Sequence, residues 1–373
     1  MRIVSAVLQP YRLRLREPLR TARGTVRERR GILLRVRWDD GVEGLGEAAP
    51  LPGFGGEPLE QSRQTLERLT VRLRGARLDT DGLEALAGAL TETPAARAAV
   101  EVAALDAAGK RAGRSVARLL AGEPAPSVAV NALLGADTPR ALAARARASR
   151  ARGFTTLKLK VGGRSLAHDV ERVQAVRDAV GPGVAIRLDA NRAWSETEAA
   201  RALERLEPAK PELLEEPLVA ATPDAWARLR RHSPTRLAAD ESLRCEADAV
   251  RLIEAGAVDV LVLKPAWLGG LRSPLRIARR AAGEGVACYV TSALDAAIGR
   301  AAALQLAAAL DGPFASGLST GDRLTSDLAR LPGAAGGRIL VPSGAGLGLG
   351  SPARPGLAVD PHGGSGAAVG KRP

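Results

Sequence analysis

Five ionisable side chains recur at a fixed beat in this chain, and that beat limits the fold more than any other feature. Lys160, Asp189, Glu215, Asp240 and Lys264 each close a short apolar run. The steps between them are 29 (160 to 189), 26 (189 to 215), 25 (215 to 240) and 24 (240 to 264) residues. A strand, its following helix and two short loops take about that length. Apolar runs at 128–134, 156–161, 184–189, 212–215, 236–240, 258–264, 286–291 and, more weakly, 314–318 alternate with helical stretches such as 166–180, 196–205 and 248–255. Eight strand-like runs separated by helices predict an α/β fold, a (β/α) barrel. A barrel gathers the C-terminal ends of its strands at one face, so the five side chains are expected around one mouth.

The segment before the barrel has a different texture. Runs at 3–8, 12–15 and 32–38, the turn Asp39-Asp40-Gly41 and the run 42–47 read as an antiparallel meander. A Gly/Pro loop at 48–56 follows, then helices over 57–122, the most apolar at 95–113. The expected organisation is an α+β capping domain over 1–122, the barrel over 123–330, a segment 331–350 with a strand at 338–341 that returns to the capping domain, and a disordered Gly/Pro/Ala-rich tail at 351–373.

Three carboxylates converging at one mouth repel one another unless a cation joins them. Asp and Glu oxygens are hard ligands suited to Mg²⁺. Lys158 and Lys160 are two residues apart and share one side of their strand. Only six of the chain's 54 basic residues are lysine, and three of those six are Lys158, Lys160 and Lys264. Arginine would serve if these positions needed only a cation. A position that must take and release a proton needs lysine. Each residue alone has a plainer reading. Asp189 or Asp240 could cap a helix, Glu215 and Glu216 could be a solvated loop pair, Lys160 could lie on a surface edge strand, and Lys264 could snorkel. The order and the spacing together favour a site.

The net charge of +13 raises a rival reading, a basic protein that associates with nucleic acid. The arginines are spread along the whole chain, and aromatic residues make up only 2%, too few for base-stacking platforms. No nucleic-acid partner is expected. A positive field also suits a small anionic carboxylate substrate. No run of about 18 apolar residues occurs and residues 1–10 lack an apolar signal core, so neither a membrane partner nor a signal peptide is expected. Cys245 and Cys288 have no metal-like spacing and read as buried free thiols of a cytoplasmic protein.

With these residues in place, the chain resembles the enolase superfamily, and within it the muconate-lactonising-enzyme subgroup. Lys158-x-Lys160, Asp189, Glu215, Asp240 and Lys264 match its second- to sixth-strand pattern place for place, and the resemblance runs to about residue 345. It implies a modified TIM barrel with Asp189, Glu215 and Asp240 as ligands of Mg²⁺, or Mn²⁺ in its stead. It implies Lys160 and Lys264 as catalytic residues and Glu216 and Glu241 behind the metal ligands. Lys158, Arg187, Asn191 and Ser292 would contact substrate, and a homo-oligomer is compatible with the resemblance.

The wording is most similar to the o-succinylbenzoate synthase family. The similarity lies in the stretch from Arg187 to Trp194, the loop from Gly46 to Phe54 and the stretch from Leu263 to Gly270. The stretch from Thr291 to Gly299 departs from that family's serine-rich wording, with alanines and Asp295 instead. The implied reaction is dehydration of 2-succinyl-6-hydroxy-2,4-cyclohexadiene-1-carboxylate to o-succinylbenzoate, a step of menaquinone synthesis. An N-succinylamino-acid racemase or a dipeptide epimerase is the rival within the superfamily. His168, His232 and His362 lie off the strand ends, unlike a histidine-base subgroup.

Overall fold

The computed structural model describes residues 1–21, 24–51, 56–135 and 138–350. The tail 351–373 and the loop residues Pro52, Gly53 and Phe54 lie outside the described residues.

Strand β1 (Ile3–Thr21) pairs antiparallel with β2 (Gly24–Trp38), which pairs with β3 (Glu43–Ala48). The runs expected at 3–8 and 12–15 are one strand. Pro10 stands opposite Ile32 without breaking it, because β1 is the sheet edge and proline withholds no ladder bond there. Tyr11, Leu13 and Leu15 are buried while Arg12, Arg14 and Arg16 are exposed, the period-two pattern of a half-buried strand. The helix Pro94–Ala112 lies almost wholly buried against β3. The two approach so closely that a Cβ on Gly46 would sit 1.8 Å from the Ala99 carbonyl oxygen. Only glycine fits at that crossing.

The barrel sheet is parallel throughout. Its strands are β5 (Ala132–Leu134), β6 (Thr156–Lys160), β7 (Ala185–Asp189), β8 (Leu213–Glu215), β9 (Arg236–Ala239), β10 (Val260–Leu263) and β11 (Ala287–Val290), neighbours in chain order. The first expected run, 128–134, is divided. Its start is β4 (Ser127–Ala129), which pairs with β12 (Arg338–Leu340), and only its end joins the sheet. The weak run at 314–318 is not a regular strand. It closes the ring through single bridges, Val130 to Ser316 and Thr291 to Gly317. Glycine and alanine offer little side chain for a ladder to pack there. Helices such as Leu166–Val180, Glu196–Leu206 and Arg272–Gly283 form the outer layer.

The capping domain is tied to the rest of the chain at several points. Leu15 bridges Leu324, and the Thr325 amide donates to the Arg14 carbonyl (2.9 Å). Glu101 accepts from the amides of Leu271 (2.5 Å) and Arg272 (2.9 Å), which fixes the loop after β10. The buried Asp106 carboxylate accepts from the Leu45 amide (3.0 Å), the Lys110 ammonium (2.7 Å) and the Leu347 amide (2.8 Å). The C-terminal segment therefore pairs first with β4, through β12, and then docks on the capping helix. Among the described residues, no helix is long and apolar enough to cross a membrane. Both cysteines are free, but Cys245 is exposed and Cys288 half-buried, contrary to the expectation that both are buried.

Candidate active site

Strand register assembles the site. Lys160 stands beside Asp189, and Asp189 beside Glu215, on β6, β7 and β8. Asp240 and Lys264 lie one residue past β9 and β10. Lys158, Lys160, Asp189, Asn191, Asp240, Lys264 and Ser292 line one cavity at the C-terminal face. Leu19 of the capping hairpin, Leu51, Asn131, Leu133, Trp267, Leu294 and Thr320 also line it.

The charges are finely interleaved. The Lys158 ammonium donates to Glu215 (2.5 Å) and lies 3.0 Å from Asp189. Lys264 donates to Asp240 (2.5 Å) and lies 3.8 Å from the centroid of the Trp267 ring, a cation–π contact. Lys160 donates to Asn191 Oδ1, and Asn191 Nδ2 donates to Glu241 (2.9 Å). Burial alone would lower Lys158, yet Asp189 and Glu215 hold it well above the ordinary lysine value. Burial pushes Glu215 up to about 7, with Lys158 opposing. Burial raises Asp189 as well, but Lys158 and Lys160 outweigh it and the net direction is down.

Glu216, in the turn after β8, is buried and braces the turns after β7 and β9. It accepts from Arg192 Nε (2.7 Å), the Ser242 hydroxyl (2.5 Å) and the amides of Asp240 (2.9 Å) and Ser242 (3.1 Å). Glu241 lies behind Asn191, and its Oε2 is buried without a partner.

The donor set suits a divalent cation. Asp240 Oδ1 is also buried without a hydrogen-bond partner, a costly state for a carboxylate oxygen and a natural one for a metal ligand. Among the described residues, no three acids or histidines draw together into one ligand cluster; the Lys158 ammonium contacts both Asp189 and Glu215, and Lys264 pairs with Asp240.

One expectation needs correction. Arg187 does not line the cavity. It is fully buried inside the barrel, bonded to Glu212 (2.5 Å) and the Ala315 carbonyl (2.6 Å) and stacked 4.5 Å over Tyr289. Its parity on β7 matches that of Asp189, but it sits one pleat deeper, where it plugs the barrel floor. Sequence reasoning also missed Tyr289, whose hydroxyl donates to Glu215 (2.6 Å), and gave Trp267 no role. Tyr289 shares the parity of Thr291 on the seventh strand, a signal that was available. Leu19 carried none, because it reaches the cavity from another domain.

Comparison with known proteins agrees with this architecture. Residues 141–351 match the enolase C-terminal domain-like family, and residues 3–121 match the mandelate racemase/muconate lactonizing enzyme N-terminal domain. Muconate cycloisomerase 1 of Pseudomonas putida is 34% identical over 76% of this chain and 78% of its own length. An o-succinylbenzoate synthase of Thermobifida fusca is 44% identical, over 56% of this chain and 65% of its own length. The crystal structure of a dipeptide epimerase from Enterococcus faecalis V583, complexed with Mg and L-Leu-L-Tyr, superposes with a TM-score of 0.87 at 29% identity. It covers 94% of this chain and 99% of that one. The shared two-domain architecture and these matches place the chain in the enolase superfamily, among the mandelate racemase/muconate lactonizing enzymes.

Proposed function

We propose that this enzyme is an o-succinylbenzoate synthase, dehydrating 2-succinyl-6-hydroxy-2,4-cyclohexadiene-1-carboxylate. One observation carries the choice within the superfamily. Away from the acids and lysines, the cavity wall is apolar or neutral polar, with Leu19, Leu51, Trp267 and Leu294 beside Ser292, Thr320 and the amides of Asn131 and Asn191. Beyond Asp189 and Asp240, no carboxylate is among its described lining residues. A dipeptide would bring an ammonium group, to which this wall offers neutral acceptors such as Asn131 Oδ1 but no opposing charge. A succinyl arm brings no ammonium group. The 44% identity to the Thermobifida fusca synthase supports the same choice.

Asp189, Glu215 and Asp240 would hold Mg²⁺, which supplies positive charge beside the substrate carboxylate and makes the adjacent C–H more acidic. Lys160, oriented through Asn191, takes that proton. The Lys264 ammonium faces the negative charge that develops on the carboxylate oxygens. The C–O bond then breaks, and the departing hydroxide takes the proton back from Lys160 and leaves as water. One base on one face serves both proton transfers, so the elimination is syn. Lys158 holds Asp189 and Glu215 in register and adds positive charge for an anionic substrate.

A second reading has its own support. Lys160 and Lys264 reach the cavity from β6 and from the end of β10, with three strands between them. Two lysines so placed could exchange a proton across the two faces of an α-carbon, as an N-succinylamino-acid racemase requires.

The test is an ultraviolet assay of aromatisation with Mg²⁺, beside a Lys160→Ala control and a racemisation assay on N-succinylamino acids. Aromatisation lost in the variant supports the synthase. Racemisation without aromatisation moves the protein to the second reading.

A further inference from the structure

The loop that follows β11 forms one wall of the cavity through Ser292, Ala293 and Leu294. The loop that follows β3 contributes Leu51 to another wall. Neither is held by the regular ladder of a sheet. Leu294 has φ +61, a conformation that costs energy in any residue with a Cβ and persists only where surroundings impose it.

The surroundings are two side chains of the capping sheet. Arg29, on β2, is 2% exposed. Its Nε donates to the Leu294 carbonyl (3.1 Å), while Nη1 and Nη2 donate to the carbonyls of Pro50 (3.2 Å) and Ala49 (2.5 Å). One planar guanidinium thus joins both loops. Glu47, on β3, accepts from the amides of Ala296 (2.7 Å) and Gly299 (2.8 Å) at the start of the helix Ala297–Leu310, and from the Tyr11 hydroxyl (2.5 Å). Between these anchors Asp295 turns back on the loop, accepting from the Ala293 amide (3.2 Å), and its carbonyl accepts from Arg300 (2.9 Å). None of these groups touches the acids or lysines of the mouth in the hydrogen bonds described above.

We propose that Arg29 and Glu47 are positioning residues. They form a buried clasp by which the capping sheet sets the spacing between the Leu51 wall and the wall at 292–294, and so governs which substrate tail the cavity accepts. The clasp rests on the reading of this cavity as the substrate site, but not on the identity of the substrate. Lysine cannot replace Arg29, because a single ammonium cannot present three donors in a plane to carbonyls on two loops.

The experiment compares wild type with Arg29→Lys, Arg29→Met and Glu47→Gln in the full-length protein. Peptide-level hydrogen exchange follows segments 48–51 and 291–299. Steady-state kinetics uses whichever succinyl substrate the wild type turns over, and fluorescence titration measures o-succinylbenzoate binding. In Arg29→Lys and Arg29→Met, both segments should exchange about 10-fold faster while β6 to β10 stay unchanged. KM should rise about 10-fold or more, with kcat within about threefold. Glu47→Gln should loosen 291–299 alone.

Unchanged exchange in both segments would overturn the clasp. A fall in kcat at constant KM would overturn it too, since a general loss of folded protein lowers the active fraction without changing affinity. If Arg29→Met fails to fold, Arg29→Lys decides by the same two readouts. A wild type that aromatises nothing, but whose variants show the exchange change, sinks the synthase reading and leaves the clasp standing. A wild type that is active, with exchange unmoved in the variants, does the reverse.

Discussion

Glu216→Gln tests how much of the site depends on a residue that touches no substrate. The carboxylate accepts four hydrogen bonds, two on each oxygen. One oxygen takes Arg192 and the Ser242 hydroxyl; the other takes the amides of Asp240 and Ser242. Glutamine keeps the shape but only one acceptor oxygen. Its amide group is best placed toward Ser242, whose hydroxyl can turn and accept. The Arg192 bond is then lost outright, at about 1.5–3 kcal/mol for a charge-assisted contact. The two remaining amide bonds weaken as their acceptor loses its charge, so the total cost comes to about 2–4 kcal/mol. Those two amides fix the turn that carries Asp240. Mg²⁺ affinity should therefore drop about 10- to 100-fold, the usual effect of removing a group that orients a metal ligand. Calorimetric Mg²⁺ titration of the folded variant, with its urea midpoint measured alongside, reads both numbers. A variant that binds Mg²⁺ within about twofold of wild type, though destabilised by the stated amount, would refute the link from Glu216 through Asp240 to the metal.

Three more predictions follow from the packing and the buried charges. Gly46→Ala forces a Cβ to 1.8 Å from a helix carbonyl, so soluble yield should collapse, and any folded protein should unfold at much lower urea. Burial, with Asp295 adding to it, raises Glu47 from 4.5 to about 7, so the folded state binds extra protons between those values and loses stability as pH rises through them. Glu47→Gln removes that loss. Its stability relative to wild type, from urea unfolding at pH 5 and pH 8, should improve by up to about 3 kcal/mol across the interval, and a constant difference would contradict the assignment. Burial pushes Cys288 up to about 12, so at pH 8 only about one thiol in ten thousand is ionised there. Iodoacetamide should label the exposed Cys245 quickly and reach Cys288 at a comparable rate only in denaturant, as peptide mapping would show.

The barrel and its mouth were legible because they repeat. A strand and helix of near-constant length, ending five times in a charged side chain, survive any uncertainty about where each strand begins. Parity was also legible. Lys158 and Lys160 both face the cavity, as their spacing of two requires. Depth was not. Arg187 has the parity of Asp189 and the wrong level, and nothing local distinguishes a side chain at the rim from one in the floor. The ring's closure at 314–318 was faint because isolated bridges leave no alternating pattern. Contacts between domains were the least legible. Arg29 donates to the Leu294 carbonyl 265 residues away, and Leu19 reaches a cavity built on distant barrel strands; one sequence carries no sign of either pairing.

Asp106 adds a timetable to the architecture. Its carboxylate belongs to a helix completed early in synthesis, yet one of its three donors is the Leu347 amide, 241 residues later. At about 5–20 residues per second, the ribosome leaves that oxygen waiting about 12–50 s for its partner. During this interval the capping helix must keep water, or a chaperone, on a group that the finished protein seals away. A nascent chain stalled before residue 347 would thus lack the amide that closes off this oxygen in the finished protein.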